Sequence, residues 1–300
     1  MATPISARTG LLGVLGDPVG HSLSPVMHNA ALAELGLDWV YLGLPVQAGQ
    51  LAAALRGLEA VGCRGLNVTI PHKQAVAALC TRLTPLAERV GAVNTLVPLE
   101  GGGWLGTNTD VEGFLAPLRQ QPWAGRQAVV LGNGGSARAV VAALVELGLG
   151  GITVVGRRAG SLDVFAGSCS GWAPQLATRP TPGLGSERAE PALLELLAAA
   201  DLVVNTTPVG MNGTVGMTSG LSPLAEQACA VLQPTATVYD LIYVPRPTRL
   251  LRLASARGCT SIDGLTMLVH QGAAALQLWS GLGTVPVATM AAAAQAALAS

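Results

Sequence analysis

The sequence predicts an α/β protein built from two α/β domains, with a cleft between them. Three observations predict this class. Short apolar runs alternate with helical stretches in the first third of the chain, a pattern typical of a mostly parallel sheet with helices on both faces. Residues 127–158 have the length and pattern of a single β–α–β unit. The chain of 300 residues is also long enough for about two domains of ordinary size.

In the first third of the chain, apolar runs predict the strands, and proline and serine positions help to predict the helices. Proline is favoured in the first turn of a helix, so Pro25 predicts a helix start, with Ser24 as its N-cap. The glycines at 101–103 favour a hairpin turn between two short strands. The predicted strands are 11–16, 39–44, 65–70, 92–97 and 103–105, and the predicted helices are 24–35, 47–60 and 71–79.

The later part of the chain is predicted in the same way. Residues 171–190, rich in Pro, Gly, Thr and Arg, are predicted to form surface loops. The predicted strands are 128–131, 152–155, 201–205 and 237–242, and the predicted helices are 191–199, 248–257, 265–281 and 287–299.

Composition excludes several classes of function. The net charge is zero without a basic stripe, which argues against a nucleic acid partner. No run reaches the ~18 uninterrupted apolar residues of a membrane span, so no membrane association is expected. Residues 1–10 lack the charged and then apolar pattern of a signal peptide.

The cysteines and histidines predict neither disulfides nor a metal site. The number of cysteines, five, is odd, and no two of them are spaced as a CxxC pair. This pattern is typical of cysteines that serve as small core residues in a reducing compartment. The four histidines lie far apart without carboxylate clusters, so no metal is expected. These features predict a cytoplasmic globular protein.

A glycine-rich turn predicts a dinucleotide site. Residues 132–137 match G-x-G-x-x-A, directly after an apolar strand and at the start of a helix, which is the context that makes this motif informative. The glycines let the backbone approach a pyrophosphate at the helix N-terminus. NAD sites place an acidic residue about 20 positions later, but this strand ends in Gly156-Arg157-Arg158. Two arginines suit a 2′-phosphate, so the predicted cofactor is NADP(H).

Lys73 is the only lysine among seventeen basic residues. Arginine cannot act as an acid or base near neutral pH, whereas lysine can be tuned to do so. A nicotinamide enzyme needs a group that exchanges a proton with the substrate oxygen, and a Tyr-x-x-x-Lys pair is excluded because residue 69 is threonine. Asp110, at the predicted mouth of a helix, is the proposed carboxylate partner, although an N-cap role is compatible with it.

These motifs identify a family. The chain resembles the shikimate dehydrogenases over roughly residues 10–285. The resemblance is carried by GDPVGHSLSP (16–25), NVTIPHK (67–73), GAVNT (91–95), NTD (108–110), GNGGSAR (132–138), NTTPVGM (205–211), DLIYVP (240–245) and residues 264–271. It implies NADPH-dependent reduction of 3-dehydroshikimate to shikimate, on the route to aromatic amino acids.

The resemblance also implies roles for individual residues. Lys73 and Asp110 would be the catalytic pair, and Ser22 and Ser24, with Tyr243, would bind the substrate carboxylate. The residues implied to hold ring hydroxyls are Thr69, Asn94 and Gln271. The residues implied at the cofactor are Gly132, Asn133, Gly134, Gly135, Ser136, Ala137, Arg157, Arg158, Thr206, Met211, Gly264 and Met267, with the two methionines near the nicotinamide.

Two departures from the family pattern concern the adenosine end of the cofactor. Gly156-Arg157-Arg158 stands where Asn-Arg-Thr is frequent, and Asn133 and Ser136 stand where alanine is common. These departures leave the cofactor class unchanged and leave the individual contacts to the adenosine phosphate open.

The expected domains are a substrate domain, residues 1–109 completed by the helices in 259–300, and a Rossmann-type NADP-binding domain, residues 110–258. Two alternatives stay open. One is a quinate or dual quinate/shikimate dehydrogenase, and the other is a non-catalytic sensor of NADP or shikimate, against which the Lys73–Asp110 pair argues. The sequence leaves the oligomeric state open, a homodimer included.

Overall fold

The structure of the chain, a computed structural model, describes residues 4–186, 188–211 and 220–299. Within these residues the chain divides into two units. The first unit comprises the residues up to 113 and those from 268 onwards, and the second unit comprises residues 114–267. Glu187 of the predicted loop 171–190 lies outside the described residues, as do residues 1–3 of the N-terminal segment 1–10.

Strands and helices alternate along the chain. The strands are β1 (Gly10–Gly16), β2 (Trp39–Pro45), β3 (Gly65–Val68), β4 (Arg82–Leu83), β5 (Thr95–Pro98), β6 (Trp104–Thr107), β7 (Gln127–Leu131), β8 (Gly151–Gly156), β9 (Leu176–Pro180), β10 (Leu202–Asn205), β11 (Thr237–Asp240) and β12 (Thr260–Asp263). The helices are α1 (Ser24–Leu35), α2 (Leu51–Ala60), α3 (Pro85–Val90), α4 (Asp110–Leu115), α5 (Gly135–Glu146), α6 (Ala159–Cys169), α7 (Pro191–Ala198), α8 (Glu226–Ala230), α9 (Arg249–Ala256), α10 (Gly264–Ser280) and α11 (Val287–Ala299).

The sheet of the first unit has the strand order β2-β1-β3-β5-β6-β4. Strand β5 runs antiparallel to both of its neighbours, while β1 is parallel to β2 and β3, and β4 is parallel to β6. The register pairs Asn67 with Thr95 and Thr95 with Thr107. The C-terminal ends of β3 and β6 and the start of β5 therefore lie at one edge of the sheet.

The sheet of the second unit is parallel throughout, in the order β12-β11-β10-β7-β8-β9. Its central strands carry continuous apolar runs because helices cover both faces of a parallel sheet. The core contains Val129, Leu131, Val203 and Val238, each at most 2% exposed. The α/β class with two mostly parallel sheets is thus confirmed.

Helix α10, the second-last helix, is held against the first sheet by a close contact. A Cβ atom on Gly65 would collide with the indole of Trp279, so only glycine lets that ring lie against β3. The indole Nε1 of Trp279 donates a hydrogen bond of 3.0 Å to the carbonyl of Leu96 on β5. This contact anchors the C-terminal half of α10 against β3 and β5.

The predicted helix 71–79 is wrong in its first half. Residues 71–74 form a turn, and only Ala75–Leu79 is helical, as a short 3₁₀ segment. The physical reason is a long-range hydrogen bond: the carbonyl of Lys73 accepts from the backbone N–H of Val93 at 2.8 Å. That carbonyl is therefore not available to an α-helical ladder.

Other elements went unpredicted. Strand β9 lies inside the predicted loop 171–190, as an edge strand that tolerates Pro180 at its end. The short elements β4, α3, α8 and β12, and the helix α6, were also not predicted. The remaining strand and helix predictions are confirmed to within a few residues at their ends.

Across the described ranges, no helix combines the length and the apolar composition that crossing a membrane requires.

Candidate active site

The edge of the first sheet brings Lys73 and Asp110 together. Lys73 lies in the turn after β3, and Asp110 is the first residue of α4, directly after β6. Their side chains form an ion pair, with Lys73 Nζ 2.6 Å from Asp110 Oδ2. The lysine side chain is 24% exposed and the carboxylate 9%, so the pair is shielded from water on one side and open on the other. A substrate oxygen could therefore reach the ammonium group.

Asn108 sets the backbone position of Asp110. Its side-chain oxygen accepts from the N–H of Asp110 at 3.0 Å, and its amide nitrogen donates to the carbonyl of Ala92 at 2.9 Å. Asn108, rather than Asp110, thus satisfies an N–H at the start of α4. The Asp110 carboxylate accepts from side chains, Lys73 on one oxygen and Asn94 on the other.

Asn94 orders the site on the other side of the carboxylate. Its Oδ1 accepts from the backbone N–H of Thr109 at 2.7 Å, which fixes the orientation of the amide. Its Nδ2 therefore faces Asp110 Oδ1 at 2.8 Å, and it also lies 3.3 Å from Gln271 Oε1. Gln271 donates through its own nitrogen to the carbonyl of Leu268 at 2.8 Å. The structure thus assembles four of the predicted residues in one hydrogen-bonded group.

A buried polar chain behind this group was not predicted. Tyr41 donates its hydroxyl to Asn67 Oδ1 at 2.7 Å, and Asn67 donates to the hydroxyl of Thr95 at 3.1 Å. The hydroxyls of Thr95 and Thr109 lie 3.0 Å apart, beside the amide of Asn94. One signal could have found the chain: Asn67 is a polar residue inside the apolar strand β3, and buried polar groups need hydrogen-bond partners.

Two of the three residues predicted to bind the substrate carboxylate, Ser22 and Ser24, lie at the start of α1. Ser24 is 5% exposed and Ser22 is half-buried. The predicted N-cap role of Ser24 is wrong: α1 has no capping side-chain bond at Leu23, and Ser22 Oγ instead accepts from the N–H of Ser24 at 3.2 Å. Thr69 follows β3 and is half-buried, and Gly16 leaves room for its methyl group beside β1.

His28 connects α1 to α10 within the first unit. Its Nδ1 lies 2.9 Å from the carbonyl of Ser24, and its Nε2 lies 3.2 Å from the carbonyl of Gly272, next to Gln271. The ring stacks on Tyr41 with a centroid distance of 4.1 Å. Complete burial lowers the pKa of His28 from 6.5 to about 4, although the two carbonyls oppose this shift.

The pKa of His28 predicts a loss of stability in acid. The unfolded chain binds the proton at higher pH than the folded chain, so stability present above pH 6.5 is lost as the pH falls towards 4. The loss amounts to about 3 kcal/mol at most. Urea unfolding of wild type and His28→Gln across this range checks it, with the exposed His21→Gln as control. Equal pH dependence in wild type and His28→Gln would contradict the prediction.

The glycine loop of the second unit has the space that a pyrophosphate needs. Cβ atoms on Gly134 or Gly135 would meet nothing within 4 Å, so the start of α5 is open. Gly132 has a φ of 103°, and a Cβ there would lie 2.8 Å from the Thr206 hydroxyl. That hydroxyl donates to the carbonyl of Leu131 at 2.8 Å. Thr206 therefore supports the loop from behind, while the backbone of the loop fits the phosphates of a dinucleotide.

Within the loop, the other predicted residues differ in exposure. Ala137 is fully buried against the core, so its small size serves packing. Asn133 and Ser136 are half-buried. Arg157 and Arg158 follow directly from the end of β8, and both are exposed. In the described part of the chain no acidic side chain forms an ion pair with either of them, so their guanidinium groups are available to an anion.

The remaining predicted residues lie elsewhere in the second unit. Burial raises the pKa of Tyr243, which follows β11 and is half-buried. Gly264 is the first residue of α10. A Cβ atom there would collide with the carbonyl oxygen of Leu241, so the absence of a side chain lets the two backbone segments pack closely. Met267 is 9% exposed, and Met211 is half-buried after β10.

Two parts of the chain match known domain families. Residues 14–96 match the family described as the shikimate dehydrogenase substrate binding domain. Residues 264–295 match the shikimate 5′-dehydrogenase C-terminal domain.

Full-length comparisons agree with these matches. Shikimate dehydrogenase (NADP(+)) of Thermosynechococcus vestitus is 52% identical over 296 residues, covering 98% of both chains. The structure of shikimate 5-dehydrogenase from Thermus thermophilus with NADP(H) and shikimate is 36% identical, with a TM-score of 0.81, and covers 96% of this chain and 99% of that one. Quinate dehydrogenase from Corynebacterium glutamicum with NAD is 30% identical, with a TM-score of 0.83 and the same coverage.

Proposed function

Because the chain belongs to the shikimate dehydrogenase family, we propose that it catalyses the reversible NADPH-dependent reduction of 3-dehydroshikimate to shikimate in aromatic amino acid biosynthesis. The observation that carries this proposal is the Lys73–Asp110 ion pair, open on one side at the edge of the first sheet. A lysine held by a carboxylate is suited to proton exchange with a substrate oxygen.

The chemistry divides between cofactor and protein. NADPH, when bound, would supply the hydride that reduces the substrate carbonyl. Lys73 Nζ donates a proton to the carbonyl oxygen, which becomes the hydroxyl group of the product, and the pair takes this proton back in the reverse direction. Asp110 holds the ammonium group at 2.6 Å, while Asn94 holds Asp110 through its other oxygen at 2.8 Å. The carboxylate therefore keeps its position while the lysine proton moves.

The other predicted ligands complete the substrate site in this proposal. Thr69, Asn94 and Gln271 bind ring hydroxyls, and Ser22, Ser24 and Tyr243 bind the carboxylate of the substrate. The half-buried or buried side chains of these residues support such roles, because hydrogen bonds to a ligand are worth more when water is excluded.

Substitution of the two serines tests the carboxylate site. Ser22→Ala and Ser24→Ala each remove a hydrogen bond to an ionised group, worth roughly 1.5–3 kcal/mol. KM for shikimate is therefore expected to rise in both variants, while KM for NADP⁺ stays near its wild-type value. Ser22→Ala should also lower the melting temperature, because it removes the acceptor for the N–H of Ser24. Unchanged KM for shikimate in both variants would contradict the assignment.

The cofactor proposal places NADP(H) on the second unit. Residues 132–137 would hold the pyrophosphate, Arg157 and Arg158 the 2′-phosphate, and Thr206 and Gly264 would shape the surrounding loops. Met211 and Met267 would lie near the nicotinamide. The open space at Gly134 and Gly135 and the absence of an acidic residue at 156–158 support this assignment.

Domain roles follow the same division. We propose residues 1–109 with 259–300 as the substrate domain and 110–258 as the cofactor domain. The two units described above support the division into two domains, and their own boundaries lie at 113/114 and 267/268, so that Asp110 falls in the first unit and residues 259–267 in the second. Five free thiols support a cytoplasmic location. A homodimer is also proposed, and light scattering of the purified protein tests it.

A single spectrophotometric assay tests the function. Reduction of the nicotinamide is measured with shikimate or quinate, each with NADP⁺ or NAD⁺. The highest kcat/KM is expected for shikimate with NADP⁺. A higher value for quinate would favour the alternative suggested by the 30% identity to a quinate dehydrogenase. Binding of NADP⁺ without turnover of either substrate would favour a sensor.

A further inference from the structure

We propose that the side-chain carboxamide of Asn133 is a ligand of the 2′-phosphate of the cofactor, and that Gly156 is the residue that makes room for it. The inference rests on the proposed use of NADP(H). It assigns to one side chain of the glycine loop a role in choosing between NADP(H) and NAD(H).

The first observation is the position of Asn133. A Cβ atom on Gly156 would lie 3.2 Å from Asn133 Oδ1. The carboxamide of the loop residue therefore lies against the end of β8, directly before Arg157. In β–α–β units that bind dinucleotides, the end of this second strand is where the ribose 2′ group is recognised.

The second observation is that the carboxamide is unused. Across the described chain Asn133 makes no side-chain hydrogen bond, although asparagine in a turn commonly bonds to its own backbone. The glycines on either side of it therefore shape the loop without its help. A half-buried amide with two free N–H donors, next to two exposed arginines, matches a phosphate better than a neutral hydroxyl.

The third observation is that the two positions constrain each other's size. Gly156 is buried, and a Cβ there would also lie 3.1 Å from Leu162 Cδ2. These separations are tighter than ordinary carbon contacts, so any side chain at 156 must displace the carboxamide or the leucine. Glycine at 156 thus lets the carboxamide of Asn133 lie along the strand end without being displaced.

Direct binding measurements on the full chain test the proposal. Dissociation constants for NADP⁺, NAD⁺, 2′,5′-ADP and 5′-AMP are measured by calorimetry, together with the melting temperature of each variant without ligand. The variants are Asn133→Ala, Asn133→Asp, Gly156→Ala and the double variant Asn133→Ala/Gly156→Ala. Asn133→Asp keeps the size of the side chain, so it remains informative where the smaller residue disturbs the loop.

The preference for 2′-phosphorylated ligands is the quantity that tests the role of Asn133. Asn133→Ala should lower the affinity ratio of 2′,5′-ADP to 5′-AMP by on the order of tenfold, the effect of losing one hydrogen bond to a charged group. Asn133→Asp should lower it further, because a carboxylate repels phosphate and accepts from a ribose hydroxyl. Gly156→Ala alone should lower the affinity ratio of 2′,5′-ADP to 5′-AMP. Added to Asn133→Ala it should have little further effect, because the two residues share one space.

The measurements distinguish a failure of the Asn133 proposal from a failure of the proposed use of NADP(H). If wild type prefers 2′-phosphorylated ligands and both Asn133 variants keep that preference, this inference is overturned while the proposed cofactor stands. If wild type itself shows no such preference, the proposed use of NADP(H) fails, and this inference fails with it. Additive losses for Asn133→Ala and Gly156→Ala would overturn the shared-space argument.

Discussion

Replacing Lys73 with alanine is expected to lower kcat for shikimate oxidation by roughly 10²–10⁴-fold, with a smaller change in KM. The reason lies in the geometry of the pair. Lys73 Nζ is 2.6 Å from Asp110 and partly exposed, so it is the group of the pair that a substrate oxygen reaches. Removing it would take away the proton donor proposed for the transition state, while the proposed hydrogen bonds from the other residues to the substrate would remain.

Lys73→Arg separates charge from proton transfer. Arginine keeps the positive charge beside Asp110 but cannot release a proton near neutral pH, so its kcat should be nearly as low as that of Lys73→Ala. Gln74→Ala, at the exposed neighbouring residue, is the matched control and should keep wild-type activity. An arginine variant that retains most of the activity would contradict the acid–base role.

The second large effect concerns the cofactor. Arg157→Ala combined with Arg158→Ala is expected to weaken NADP⁺ binding by several kcal/mol and to leave the use of NAD⁺ largely unchanged. A 2′-phosphate brings up to two negative charges to the end of β8, where guanidinium groups can form paired hydrogen bonds with it. The contact is ionic and exposed, so the NADP⁺ preference should also weaken as salt is raised.

The measurement is kcat/KM with both cofactors in wild type and in the double variant. Arg252→Ala is a suitable control, because Arg252 is an exposed arginine of the same unit whose side chain donates to the carbonyl of Pro247. Equal losses with NADP⁺ and NAD⁺ would mean that Arg157 and Arg158 support the fold instead of the phosphate.

Local patterns were sufficient for much of the fold. The β–α–β unit at 127–158 was predictable because an apolar strand, a glycine turn and a helix are all encoded within one short segment. The same holds for α1 and α7, which begin with proline in the first turn. Edge elements such as β9 were missed because a strand with one open side needs little apolar sequence.

Non-local hydrogen bonds explain the errors near the site. The backbone N–H of Val93 donates to the carbonyl of Lys73, and residues 71–74 form a turn instead of the helix start that Pro71 favours. No local pattern contains that contact, since twenty residues separate its partners in the chain.

Within the site, the Lys73–Asp110 ion pair was predictable and the hydrogen bonds that support it were not. The sequence indicated Lys73 because it is the single lysine of the chain. It indicated Asp110 because this residue lies at the predicted start of a helix. Thr95 and Thr109 became visible only through the pairing of β3, β5 and β6, which brings three separate segments to one edge, whereas Asn67 carried a sequence signal as a polar residue in an apolar strand. Their hydrogen bonds run between strands, so sequence spacing does not reveal them.

The most direct test of the central claim asks whether Lys73 and Asp110 act as one unit. It compares kcat for shikimate oxidation in Lys73→Ala, Asp110→Asn and the double variant, with melting temperatures to verify folding. Groups that act together are strongly non-additive, so the double variant is predicted to be about as slow as the slower single variant. A double variant whose loss equals the product of the two single losses would contradict the account.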